Sequence, residues 1–343
     1  MDTLTLPPAA APAPALAPFP GAPSLRRFHS RYLDDHTEQL DWLLDYDQID
    51  RGTFEGEMLE VLLPGLQLFR ETTSRALRQF GGIHRGAIGV ARMRHGEGNL
   101  LYQGQPADRH VIVCGPGQEV DMCTPPACTL VGLVVDAELL LRHAPADTPS
   151  GPLPRHWVSS AFAAKDAEQS VLIDFVGDSL DLIAARPQLL HDAQAVDQLR
   201  DAAVLHSLNA LAQTHDAELH LTASARKRVV DRACELMLSR PDEPPSLLAI
   251  CQQVGVSARK LGYCFQEVLG LSPQAFLRVL RLNAARRELA RHDDPDTSVY
   301  DVAARWGFWH FGRFSTDYKR QFGESPSSTL KRGQRRLPVV QRH

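Results

Sequence analysis

Ile250-Cys251-Gln252-Gln253-Val254-Gly255-Val256-Ser257, followed by Leu261, Phe265 and Gly270-Leu271-Ser272-Pro273, returns as Val302-Ala303-Ala304-Arg305-Trp306-Gly307-Phe308, followed by Phe314, Tyr318 and Gly323-Glu324-Ser325-Pro326. Each copy puts a small residue in a first helix, closes that helix with glycine, and continues into a second, amphipathic helix. This is the sequence form of a helix-turn-helix, the unit that lays its second helix into the DNA major groove. Two copies about 53 residues apart predict a domain that reads double-stranded DNA with both.

Working outward, Ser257 caps the first recognition helix, where Leu261, Phe265 and Val268 point inward while Arg259, Lys260, Tyr263 and Gln266 point out. After Gly307 the second recognition helix exposes His310, Arg313, Ser315, Thr316, Lys319 and Arg320 over Phe314, Tyr318 and Phe322. Such side chains contact phosphates and base edges. On one helix alone they would read as a solvated face; the duplication decides for DNA. Two positions stay open: Tyr263 packs on a neighbour or touches DNA, and His310 caps its helix or reads a base. Arg259 and Arg313 are the expected base readers, because Arg is the commonest bidentate partner of guanine.

Between the units, Ser272-Pro273 opens a helix that continues to about Arg291. Its roughly 20 residues make a rod of about 30 Å, close to one DNA turn, so each half-site should carry two boxes about 10–11 base pairs apart. Ala225 to Ser239 is a further helix stopped by Pro241, Ser246 caps the next, and Asp296-Thr297 is expected to cap the helix that opens the second unit.

At 343 residues the chain exceeds one compact core. Its charge is split: residues 224–343 hold 21 Lys+Arg against 12 Asp+Glu, which leaves 16 against 29 of the chain's 37 and 41 for the rest. A basic C-terminal domain suits phosphate neutralisation, whereas an acidic one would be repelled by DNA and suits sensing or assembly. The six cysteines, at 114, 123, 128, 234, 251 and 264, include no Cys-x-x-Cys pair. Cys251 and Cys264 read as packing residues; Cys123 and Cys128, around Pro125-Pro126, leave a redox pair open. The Pro/Ala-rich start lacks a charged signal-peptide region, and no long apolar run marks a membrane span, so a cytoplasmic protein with no membrane partner is expected.

From Phe28 to Val135, short apolar runs stand between Gly and Pro punctuation: 58–63, 65–69, 87–90, 110–113 and 130–135. They predict an antiparallel β-barrel or sandwich. After Asp136 the texture turns helical near 166–185 and 191–214, with Leu172, Phe175, Val176, Ser179 and Leu180 at helical spacing.

The C-terminal residues resemble the AraC/XylS-type transcriptional regulators. The likeness runs from about Val229 to Leu330: Leu277-Arg278-Val279-Leu280-Arg281-Leu282 looks like the family's central-helix motif, and Gly307-Phe308, Phe314 and Phe322-Gly323-Glu324-Ser325-Pro326 like its C-terminal signature. Gly262 and Tyr263 depart from it, as does Tyr318-Lys319 where Phe-Lys is usual. Phe308-Trp309-His310-Phe311-Gly312-Arg313-Phe314 and Leu68-Phe69-Arg70-Glu71-Thr72-Thr73 further resemble the subgroup that contains the ethanolamine-utilisation regulator. The resemblance implies an effector-sensing, cupin-like barrel, helices that form a homodimer, and an activator that works with RNA polymerase.

The expected fold is therefore α+β: a disordered Pro/Ala-rich tail over 1–27, a β-rich cupin-like sensing domain over 28–150, a helical dimerisation region over 151–221, a double helix-turn-helix domain over 222–331 and a basic tail over 332–343. The small-molecule effector is unnamed, and no catalytic residue, metal or cofactor is expected. Two rival readings fit the sequence less well. A cupin-type metal-dependent enzyme would need converging imidazoles, yet His84, His95 and His110 stand isolated. An effector-independent architectural DNA binder has no evident use for an acidic sheet domain.

Overall fold

The computed structural model describes residues 19, 21–84, 86–108, 110–144, 160–163, 167–212, 225–238, 245–291 and 297–336. Among these, the strands are β1 (Ser24–Ser30), β2 (Leu43–Gln48), β3 (Gly56–Leu63), β4 (Leu66–Thr73), β5 (Leu77–Gly82), β6 (Ala87–His95), β7 (Leu101–Tyr102), β8 (Gln105–Pro106), β9 (His110–Cys114), β10 (Glu119–Thr124), β11 (Cys128–Asp136) and β12 (Ser160–Ala163). They form a seven-stranded sheet in the order β1-β3-β4-β11-β6-β9-β12 and a five-stranded sheet in the order β2-β5-β10-β7-β8. All their pairings are antiparallel.

The larger sheet is buried on both faces, which is why β3, β4 and β11 read as apolar runs and not as alternations. One face, with Val61, Leu63, Leu68, Val131, Leu133 and Val135, packs on Leu172, Val176, Leu180 and Val204 of helices α3 (Ala167–Ala185) and α4 (Ala193–Ala212). The other face, with Met58, Phe69, Leu130 and Val134, meets Tyr102, Val120 and Met122 of the smaller sheet. Two short helices, α1 (Leu33–Thr37) and α2 (Ala137–His143), close the ends of strands.

Among the described residues the elements of the C-terminal domain are helices: α5 (Ala225–Leu238), α6 (Leu247–Val254), α7 (Ala258–Leu269), α8 (Pro273–Ala290), α9 (Val299–Arg305), α10 (Phe311–Phe322) and α11 (Pro326–Arg336). Helix α8 spans 18 residues, about 27 Å. Phe276 and Leu280 join the core of α5–α7, while Leu282, Ala285 and Leu289 join that of α9–α10, so one helix is a wall of both units.

Several expectations change. The sheets are two open layers and not a closed barrel, and the β2 edge is instead covered by helices of the C-terminal domain, as shown below. Ser24–Ser30 is a strand, paired with β3, that starts inside the segment assigned to the disordered tail, and residues 1–18 and 20 of that segment lie outside the described residues. The region expected to be helical after residue 150 also contributes β12, paired with β9. Helix α11 continues through 332–336, where a basic tail was expected, and 337–343 lie outside the described residues. The helix that opens the second unit is capped by Ser298, not Asp296-Thr297: Ser298 and Asp301 form a reciprocal capping box, which satisfies two amide groups at once.

Candidate nucleic-acid interface and its seam with the sheet domain

Both helix-turn-helix units are built by local capping. The Ser246 Oγ accepts from the Ala249 amide and the Ser257 Oγ from the Lys260 amide, each at 3.2 Å, so α6 and α7 start where their serines stand. Gly255, at φ 75°, turns the chain between them in a left-handed conformation that a side chain would strain. Leu261, Phe265 and Val268 are buried, and Arg259, Lys260 and Gln266 are exposed. Tyr263 is half exposed in a basic patch, its ring 5.2 Å from the Arg226 guanidinium and 5.7 Å from the Lys260 Nζ.

In the second unit Phe314, Tyr318 and Phe322 pack inward. Burial pushes the Tyr318 hydroxyl above the ordinary tyrosine pKa, and that hydroxyl donates to Thr329 at 2.9 Å. His310 occupies the N-cap position of α10, is exposed, and its side chain makes no capping bond. Arg313, Thr316, Lys319 and Arg320 are exposed and Ser315 is half-buried; the Thr316 Oγ1 donates back to the Gly312 carbonyl at 2.9 Å. Arg320 and Arg313 flank Asp317, at 2.6 and 3.9 Å, and this buried carboxylate also pairs with Arg278 of α8. Gly312, Thr316 and Lys319 thus form the outermost line, with Arg313 and Arg320 on one flank. Arg278, Trp309, Phe311 and Tyr300 were not among the candidate site residues; the last three are exposed beside the start of α10. A signal existed in Trp309 and Phe311, large aromatics off the inward spacing of Phe314, Tyr318 and Phe322.

The sheet domain grips this assembly through the edge of β2. Its free backbone groups are satisfied by the helices: the Gln48 amide donates to Asn283 Oδ1 at 2.9 Å, and the Gln48 carbonyl accepts from Asn283 Nδ2 at 3.1 Å and from Gln321 Nε2 at 2.9 Å. The Gln48 side chain returns a bond to the Gln321 carbonyl at 2.8 Å. Around it run charge pairs, each an acid of the sheet domain against a base of the helical one: Arg286–Asp34 at 2.9 Å, Arg287–Asp47 at 2.6 Å and Lys227–Asp121 at 2.6 Å. Burial opposes the Lys227 charge, but Asp121 and Asp231 outweigh it and hold the ammonium above its usual pKa. Cys123 of β10 lies in the same apolar cluster as Val230, Cys234 and Phe265.

Between the two sheets lies an apolar cavity of about 60 Å³, lined among others by Trp42, Phe69, Tyr102, Met122, Glu71 and Gln79. The Glu71 carboxylate is buried and hydrogen-bonded to His36 Nε2 and the Tyr46 hydroxyl at 3.0 Å and to Gln79 Nε2 at 3.3 Å. Burial, then the Glu71 charge, raises the Tyr46 pKa well above its ordinary value. Within the Leu68–Thr73 motif, Phe69 and Glu71 face this interior, while Arg70 turns outward to Asp181 of α3 at 2.8 Å. Among the described residues no three His, Cys, Asp or Glu side chains gather as a metal set, and no helix is long and apolar enough to cross a membrane.

Residues 250–332 match a family of helix-turn-helix domains. The chain is 37% identical over 123 residues to a probable thc operon regulatory protein of Rhodococcus erythropolis, covering 35% of this chain and 37% of that protein. It is 30% identical over 190 residues to the HTH-type transcriptional activator RhaS of Salmonella arizonae, covering 55% of this chain and 61% of that one. The chain therefore spans between about a third and three fifths of the length of these curated relatives. A solved transcriptional regulator with an AraC-type DNA-binding domain, from Chromobacterium violaceum, is 32% identical over 33% of this chain and 96% of that one, with a TM-score of 0.29.

Proposed function

We propose that this chain, whose C-terminal part is a helix-turn-helix domain of the AraC family, is a sequence-specific transcriptional activator controlled by a small-molecule effector, and not an enzyme. The observation that carries the reading is the pair of exposed basic helix faces, α7 and α10, set on the common rod of α8. Arg259, Lys260, Tyr263 and Gln266 serve the first major groove, and His310, Arg313, Ser315, Thr316, Lys319 and Arg320 the second.

The effector enters the cavity between the sheets, where apolar walls hold its body and the Glu71 and Gln79 side chains orient its polar end. A cavity this small admits a compact ligand or opens around a larger one. The likeness of the Leu68–Thr73 and Phe308–Phe314 strings to the ethanolamine-regulator subgroup leaves the effector unnamed. Two copies joined through α3 and α4, acting in the cytoplasm on RNA polymerase, complete the proposal; Val171, Leu182 and Leu205 of these helices are exposed.

Mapping where the protein binds along its own genome, followed by titration of the recovered sites in a salt series, tests it. Discrete sites beside a metabolic gene cluster, with affinity falling steeply in salt, are expected. Absence of any DNA affinity at low salt would overturn it.

A further inference from the structure

The acidic domain places one arginine against the DNA-binding face. The loop after β2 sits on the C-terminal end of α10: the Gly52 amide donates to the Gln321 carbonyl at 2.9 Å, and Thr53 lies so close to Gly323 that an added Cβ there would clash with its Cγ2. Arg51, between these anchors and Gln48, is exposed, and its neighbour Gly52 is bonded to Gln321, the residue next to Arg320. Burial first, then Arg313, Arg320 and Arg51, hold the Arg278 guanidinium below its usual pKa. Among the described residues the buried Nε of Arg278 has no hydrogen-bond partner.

Three guanidinium groups, those of Arg278, Arg313 and Arg320, thus surround one carboxylate, Asp317, and the chain at Arg51 runs beside them, held at Gln321. Neighbouring acids are already engaged: Asp50 with Arg75 at 3.5 Å, Asp47 with Arg287 at 2.6 Å, and Glu324 with Arg332 at 2.6 Å. The cluster is left with excess positive charge and with planar donors suited to an oxyanion. Its position selects the anion. A helix lying in the major groove has a phosphate rail along each flank, and Arg313 and Arg320 mark the flank of α10 that faces the seam.

Resting on the DNA-binding reading above, we propose that Arg51 of the sheet domain joins Arg278 and Arg320, beside Arg313, to bind a backbone phosphate of the DNA, so that the effector-side domain touches the operator directly. Because Arg51 reaches this place only while β2 is docked on α8 and α10, the contact is made by the docked form and lost when the domains part.

The test uses the full chain, with fluorescence anisotropy on a genomic site and on a scrambled duplex across a salt series. Arg51→Gln should weaken both by a similar factor, about fivefold, and lower the slope of log affinity against log salt by about one, with Arg51→Lys recovering part of each. If Arg51→Gln keeps the wild-type affinity and slope while Lys319→Ala loses binding, the DNA reading stands and the Arg51 assignment falls. Loss confined to the genomic site would also overturn a phosphate contact. Inorganic phosphate at matched ionic strength guards against a free-anion pocket: DNA released by phosphate beyond a chloride control would reassign the cluster.

Discussion

Replacing Asn283 with leucine should loosen the sheet domain from the helical domain without unfolding either. Asn283 is buried on α8, and its amide makes a two-point bond with the Gln48 backbone while also donating to the Val279 carbonyl one turn back. Leucine keeps the branching at Cγ and has a better helix propensity, so α8 keeps its own geometry, and its greater bulk presses on the seam and adds to the loosening. What is lost is specific. The Gln48 amide becomes a buried donor without an acceptor, which costs about 1–3 kcal/mol, and the bond from Nδ2 adds about 1 kcal/mol. The Gln48 carbonyl keeps Gln321. A weakening of about 2–4 kcal/mol multiplies the opened population by roughly 30 to 700, at tenfold per 1.4 kcal/mol.

Hydrogen exchange reads that change where it occurs. The peptide containing β2 should exchange faster in Asn283→Leu by a factor in this range, while the β3–β4 core and α7 keep their protection. Faster exchange throughout the chain would mean a global defect and would count against a discrete seam. Unchanged exchange at β2 would refute the energetic argument, because the Gln48 amide would then owe its protection to something other than Asn283.

Arg259→Ala should cost about 1–3 kcal/mol at the genomic site and much less on random duplex, as a gel-shift titration would show; equal losses would make it a phosphate contact. Inserting five base pairs between the two boxes of a half-site should abolish the gain from the second box, since α8 is packed into both units, and undiminished affinity would leave one recognition helix as the sole reader. The thiols should be inert: burial pushes Cys114 up to about 11 and Cys123, Cys128 and Cys234 up to about 12, so the thiolate is scarce at neutral pH. Mass spectrometry after iodoacetamide should find these four unmodified in native protein and modified after unfolding; rapid native labelling of Cys123 or Cys128 would restore a redox role.

The helical domain was legible because its signals are local. Serine caps, glycine turns and inward residues at helical spacing each act within a few positions, and the elements began at Ser246, Ser257 and Ser272 as those signals require. The five visible strands were those buried on both faces or nearly so. The strands β2, β5 and β10 went unread for a physical reason: they hold Asp47, Gln48, Arg78, Gln79 and Asp121, polar groups whose burial depends on partners far away in sequence. Asn283 is the same case on a helix, a polar residue among apolar ones that makes sense only beside Gln48. Of the site, the outward faces were readable, but not which outward residue lies on the flank, because that depends on Asp317 being buried against α8.

The charge split takes on a second meaning once the seam is seen. A net-acidic domain beside a basic one was expected to stand away from DNA, yet Asp34, Asp47 and Asp121 are spent on Arg286, Arg287 and Lys227, none of which lies on an outward recognition face. The acids therefore hold the helix-turn-helix domain without covering its outward faces. A ligand shifts such an arrangement only if it contacts the docked and parted forms differently. Strand β2 is where that difference can arise: Leu44 lines the cavity, Tyr46 bonds to Glu71, and Asp47 and Gln48 bond to α8 within the next two residues. A ligand that pushes on Leu44 or takes a bond from Glu71 acts on the same strand whose edge the helices complete. If so, Glu71→Gln, which keeps the size of the side chain but removes its charge, should alter effector response before it alters DNA affinity in the absence of effector. Equal effects on both would place Glu71 in the fold alone.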